Sequence, residues 1–137
     1  MLKETRKYID FDGNERTEDF YFNFTKAELI EMNLFEAGGM AKMIERIINA
    51  NDPGEIMRVF KELILRSYGE KSPDGRTFMK SPEISARFAA TPVYSDMFME
   101  FSQDADKAVA FVKGLVPPDI LPEIEKREKE GTLLQHS

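Results

Sequence analysis

The chain has 137 residues, 42% hydrophobic and 11% aromatic, with a formal net charge of −6. That is the length of one domain with enough apolar content for an ordinary core, which excludes wholesale disorder. The acidic balance excludes sequence-independent nucleic-acid binding and suits an anionic membrane poorly, and it reads instead as a solvated surface that keeps the protein soluble.

The first elements form a hairpin. Asp12-Gly13 and Gly13-Asn14 are turn dipeptides, because glycine takes positive φ freely and Asp or Asn tolerates it. They predict strands over residues 4–10 and 15–24. In the second strand Phe20, Phe22 and Phe24 alternate with Asp19, Tyr21 and Asn23, so the three phenylalanines share one face. An isolated hairpin is marginal in water, so this row must cover a helical core or a partner. Thr25 and Glu28 have the spacing of a capping box and begin a short helix to about residue 35.

After Ala37-Gly38-Gly39, Met40, Met43, Ile44, Ile47 and Ile48 fall on one helical stripe. Asp52-Pro53-Gly54-Glu55 is the next helix start, with Asp as N-cap and proline in the first turn. Ile56, Val59, Phe60, Leu63 and Ile64 repeat the stripe. Two such helices with a short connection are expected to pack antiparallel.

Residues 67–80 form the longest polar interval. Gly69, Pro73 and Gly75 exclude a helix there, Ser72-Pro73-Asp74-Gly75 is a turn, and Arg76 to Met79 can add a short extended segment. Ser81-Pro82 and Thr91-Pro92 each place a capping residue before proline. The helix from Thr91 is expected to turn Tyr94, Met97, Phe98 and Phe101 inward. A last helix over residues 104–116 carries Ala108, Val109, Val112 and Leu115 on one face, and Pro117-Pro118 stops it. The predicted fold is α+β, mainly α: an N-terminal β-hairpin (4–24) packed on a bundle of about five or six helices (25–121). Residues 1–121 are read as one globular domain, and 122–137 as a charged, flexible tail with little to pack against.

Motifs for chemistry are missing. The chain has no cysteine, and its single histidine, His136, is next to last, so neither a thiolate metal site nor a histidine-based triad can be assembled in the body of the domain. Asp10-x-Asp12-x-Asn14 imitates the start of a calcium loop, but Glu15 and Tyr21 stand where glycine and an acid are needed. Gly69-Glu70-Lys71-Ser72 imitates the end of a phosphate loop, but a helix precedes it and Pro73 blocks the helix that should follow. No two carboxylates have a spacing that points to a general acid–base pair. We therefore expect no catalytic, cofactor-binding or metal-binding residues and no enzymatic activity. The start Met1 to Arg6 lacks the apolar core of a signal peptide and no stretch is long enough to span a membrane, which predicts a cytosolic protein.

Candidate contact residues are the apolar side chains that helical spacing does not assign to a core. Methionine fills gaps in cores and also lines adaptable binding surfaces. Met57 and Met99 fall off their helices' stripes and are candidates for a partner contact. Phe11 lies beside the turn, where packing on the domain is the first expectation and packing on a partner the second.

Residues Tyr8 to Leu29 together resemble the start of the tail assembly chaperones of long-tailed, non-contractile bacteriophages. The likeness resumes over Phe60 to Arg76, continues through Phe78, Lys80 and Ser81, and includes Thr91, Tyr94, Phe98 and the stretch from Asp104 to Pro117. It spans roughly residues 5–118. The resemblance implies a chaperone that binds and solubilises the tail tape-measure protein in the host cytoplasm and is absent from the mature virion. It further implies a longer partner form made by ribosomal frameshifting, with homo-oligomers as a further expectation and neither nucleic acid nor membrane as a partner. The alternative is a structural virion protein such as a head–tail connector subunit.

Overall fold

A computed structural model describes residues 1–32, 39–49, 53–122 and 126. Strands β1 (Leu2–Ile9) and β2 (Glu15–Phe22) are followed by helices α1 (Lys26–Glu31), α2 (Gly39–Asn49) and α3 (Pro53–Ser67). Two short strands, β3 (Tyr68–Lys71) and β4 (Phe78–Met79), precede α4 (Pro82–Ala89), α5 (Pro92–Gln103) and α6 (Ala105–Leu115). The fold is α+β and mainly helical, with the N-terminal hairpin laid on helices as the sequence predicts.

The sheet is larger than a hairpin. It has four antiparallel strands in the order β1-β2-β3-β4, with Leu2 opposite Phe22 and Ile9 opposite Glu15 in the first pair. β3 joins β2 through Tyr21 opposite Gly69 and Phe22 opposite Tyr68. Only an extended segment over Arg76 to Met79 was expected in this interval, and β4 occupies its second half; β3 is new. It starts directly after α3, and Gly69 makes its approach possible. A Cβ there would lie 2.8 Å from the Phe78 ring and from the Met79 carbonyl oxygen. The predicted turn follows, with the Gly75 N–H donating to the Ser72 carbonyl at 3.0 Å and Gly75 at φ +77°.

The phenylalanine row lies on the helical core. Phe22 and Phe24 are fully buried and Phe20 nearly so. The Phe22 ring meets Phe88 of α4 at 5.6 Å and Phe111 of α6 at 5.3 Å, both edge-on, the favoured aromatic geometry. The end of β2 is bolted to two helix C-termini. The Asn23 N–H donates to the Ser67 carbonyl and the Phe24 N–H to the Leu115 carbonyl, each at 2.9 Å, which satisfies acceptors that a helix end leaves open.

Caps begin the helices where the sequence places them. Thr25 and Glu28 form both halves of the capping box. Ser81, Thr91 and Asp104 each accept backbone N–H groups from the first turn of α4, α5 and α6. The expected Asp52 cap, most of the α1–α2 connection and the tail expectation fall outside the described residues, save Pro122 and Lys126 of the tail. Two stripes sit differently from expectation. In α5, Val93, Met97 and Phe101 are buried while Tyr94 and Phe98 are half-buried. The i, i+4, i+8 row starting just after Pro92 takes the inward position. In α6, Phe111 joins Ala108, Val112 and Leu115 inside, and Val109 is only half-buried.

The antiparallel pairing expected of α2 and α3 falls largely on side chains outside the described residues, those of Met40, Ile44, Ile47, Ile48 and Ile56. α2 lies against α6, and its described link to α3 is the Arg46–Glu55 ion pair at 3.5 Å across an open groove.

Candidate partner-binding surface

The hairpin turn is held by its own polar groups. Asp10 Oδ1 accepts the N–H groups of Asp12 and Asn14, each at 2.9 Å, and Asp10 Oδ2 accepts from Arg16 Nε at 2.6 Å. The Arg16 hydrogen bond, then that of Asn14, hold the Asp10 carboxyl below its ordinary value. This carboxylate is therefore occupied as a turn anchor. Among the described residues no three acidic, His or Cys side chains cluster as metal ligands. Residues 15–19 of β2 are all exposed, although Arg6 and Tyr8 opposite them on β1 still reach the domain. Phe11 at the hairpin turn is 83% exposed and Ile9 beside it 57% exposed. The expectation that Phe11 packs on its own domain is thus overturned: the turn is closed by polar bonds to Asp10, and the ring is left in solvent.

Met57 on α3 and Met99 on α5 are exposed as their off-stripe spacing implies, at 40% and 50%. Phe11 in the β1–β2 turn, Met57 on α3 and Met99 on α5 lie on separate parts of the chain, and none of them lines the grooves described next. Ile30 and Met79 are further exposed apolar side chains that periodicity did not single out.

The larger groove lies between α2 and α3 and has a volume of about 520 Å³. Glu55, Arg58, Val59, Glu62, Leu63 and Arg66 line it from one face of α3, at helical spacing. Met43 and Arg46 of α2 and Met32 after α1 complete it. Its floor is apolar and its rim alternates in sign: Arg46 pairs with Glu55 and Arg66 with Glu62, each at 3.5 Å. Arg66 and Met32 also border a second hollow with Phe24, Glu28 and Glu31. Stripe-finding from sequence passes over this groove, because its charged members look like an ordinary solvated face.

Beside that second hollow is a half-buried staple. Lys80 Nζ donates to the Glu28 carboxylate at 2.6 Å and to the Asn23 carbonyl, and lies 4.9 Å from the Phe24 ring centre. Burial raises the cost of the Glu28 charge, but the Lys80 and Thr25 hydrogen bonds outweigh it and hold the carboxyl below its ordinary value. Burial also lowers Lys80, only partly offset by Glu28. The two shifts act in opposite senses on the pair, and the geometry of a charge-assisted bond fixes it as ionic at neutral pH.

A third hollow, about 400 Å³, runs beside β1 and is lined by Leu2, Glu4, Thr5, Arg6, Glu100, Phe101, Lys107, Ala110 and Phe111. Arg6 is its centre. Its guanidinium bonds Glu100 at one Nη, meets Glu4 at 3.4 Å through the other, and lies 5.9 Å from the Phe101 ring centre. Its Nε is buried without a hydrogen-bond partner.

The surface thus offers grooves and exposed apolar side chains, and the described residues carry no assembled catalytic constellation. Against known families, the model described as "Phage tail assembly chaperone" matches residues 1–136. The chain belongs to the phage tail assembly chaperones. No curated protein and no solved structure matches it. Membership in a chaperone family agrees with the expectation of a non-enzyme. It also gives the chaperone's exposed features a context, since an assembly factor must present surface to another protein. No described helix of the chaperone is long and apolar enough to cross a membrane.

Proposed function

We propose that the chaperone binds the tail tape-measure protein in the host cytoplasm, holds it soluble until the tail tube polymerises around it, and then leaves. The observation that carries this is the family match over residues 1–136. The α2–α3 groove supports it, because an apolar floor with a rim of both signs suits one face of an amphipathic helix. Phe11, Met57 and Met99 are secondary contact points that rest on their exposure. Each contact is weak, and several copies along one long client supply avidity. Self-association and pairing with a longer frameshift form belong to the same proposal.

Mass spectrometry of purified virions beside infected-cell lysate tests the assembly role. The chain is expected in the lysate with the tape-measure protein and absent from the particles. Stoichiometric presence in the virion would instead support a structural part such as a head–tail connector subunit.

A further inference from the structure

The sheet ends on two unequal edges. β4 has only two residues, whereas β1 offers eight. An edge strand is a template for another strand unless something blunts it, as lysines and inward-pointing charges do; β1 carries Lys3, Lys7, Glu4 and Arg6, so a partner strand must sit in a register that offsets these charges. The phase of its free groups follows from the turn. The Asp10 N–H donates to Asn14 within the β1–β2 register, so the even-numbered residues of β1 hydrogen-bond to β2. Lys3, Thr5, Lys7 and Ile9 therefore turn their N–H and C=O groups to the outer edge, where no strand of the described residues pairs with them.

We infer that this edge is a homodimer seam, in which β1 pairs antiparallel with β1 of a second copy about a two-fold axis at Thr5. This rests on the self-association within the proposed function and is independent of the client. The register is chosen by charge. Directly opposed residues share a face, so on the helix-facing side the Thr5-centred pairing sets Glu4 against Arg6 of the second copy twice, and Leu2 against Tyr8 twice. Centring on Arg6 would oppose two arginines, and centring on Glu4 two glutamates. The Thr5 register also brings a second carboxylate toward the Arg6 guanidinium, which has spare donors and a buried, unpartnered Nε.

On the outer face the pairing sets Lys3 against Lys7, and each already has an acidic partner on its own chain, while solvent screens what repulsion remains. Lys3 pairs with Asp19 at 3.7 Å and Lys7 with Glu15 at 2.5 Å. The hollow beside β1 leaves room on the helix-facing side for the side chains of the added strand. One strand pair falls at the small end of protein interfaces, which typically bury about 1,200–2,000 Å². The dimer is therefore reversible and concentration-dependent.

Sedimentation velocity of the full chain alone, up to roughly 1 mM, should show mass rising toward twice the monomer. Thr5→Pro should keep the chain monomeric. Its lost N–H faces the outer edge, so the β1–β2 ladder and the circular-dichroism melt should survive. A second variant holds if proline impairs folding. The chain has no cysteine, and Thr5→Cys places two thiols across the axis at a Cα separation of about 5.5 Å, inside the disulfide range. It should cross-link at least about tenfold faster than Lys3→Cys, whose nearest counterpart is Lys7 of the second copy. A wild-type chain that stays monomeric, a dimer that survives Thr5→Pro, or equal cross-linking at both positions would overturn the seam. A monomer that loses client capture on Thr5→Pro would place a client strand on the edge and overturn it equally. Client binding can fail in a chain that dimerises, so the two ideas stand or fall separately.

Discussion

Phe22 has no exposed surface and touches the rings of Tyr68, Phe88 and Phe111, so it joins sheet to helices at one point. Phe22→Ala should cost about 3–5 kcal/mol, the usual loss for a truncated core aromatic, by denaturant titration. A loss below about 1 kcal/mol would mean the row is not core. Phe11 is the opposite case: Phe11→Ser should change stability by less than about 0.5 kcal/mol and still weaken client capture in a pull-down. Glu28 and Glu100 give the acid response. Burial disfavours both charges, and their cationic partners Lys80 and Arg6 more than offset it, so both folded carboxyls titrate below the ordinary value of 4.5. A depressed folded value means their stabilisation is complete above 4.5 and is lost as pH falls through the folded values. Thermal melts from neutral pH down to about 3 should fall in that window, and Glu28→Gln should flatten the fall. An unchanged slope would exclude the Lys80 staple as its source.

At the scale of elements, the legible parts were those with local chemistry. Thr25, Ser81, Thr91 and Asp104 announce helix starts because a cap is satisfied within its own first turn. Asp12-Gly13 announces the hairpin for the same reason, and Gly13 adopts φ +85°. β3 was not legible, since four residues with a glycine carry no periodicity and its strand character comes from β2 and β4. Gly69→Ala should therefore destabilise by about 1–3 kcal/mol, because its Cβ has no space beside Phe78. The α2–α3 groove was equally hidden, because it joins stripe residues Met43, Val59 and Leu63 to charged neighbours from two helices, which neither stripe shows alone. Arg58 lines it and is exposed. Arg58→Glu should leave the melt unchanged and weaken capture of tape-measure helices several-fold, which surface plasmon resonance can read. Unchanged binding would move the client site off this groove, with Phe11, Met57 and Met99 the next positions to vary.

For the whole molecule, the family was legible where the fold was not complete. The resemblance read from roughly residues 5–118 agrees with the family match over residues 1–136. Composition contributed what it could, an acidic surface and no cysteine or internal histidine, which narrows chemistry without naming a partner. The partner contacts stayed illegible because they depend on which apolar side chains the packed domain leaves outside. Phe11 shows this well: whether it packs inward or stands exposed is decided by the tertiary fold. Chaperoning is tested most directly by co-expressing the chain with the tape-measure protein of the same phage, followed by size-exclusion chromatography with light scattering. A soluble complex with several copies of the chain per client is the expected result. A tape-measure protein that stays insoluble with both this chain and its longer form present would contradict it.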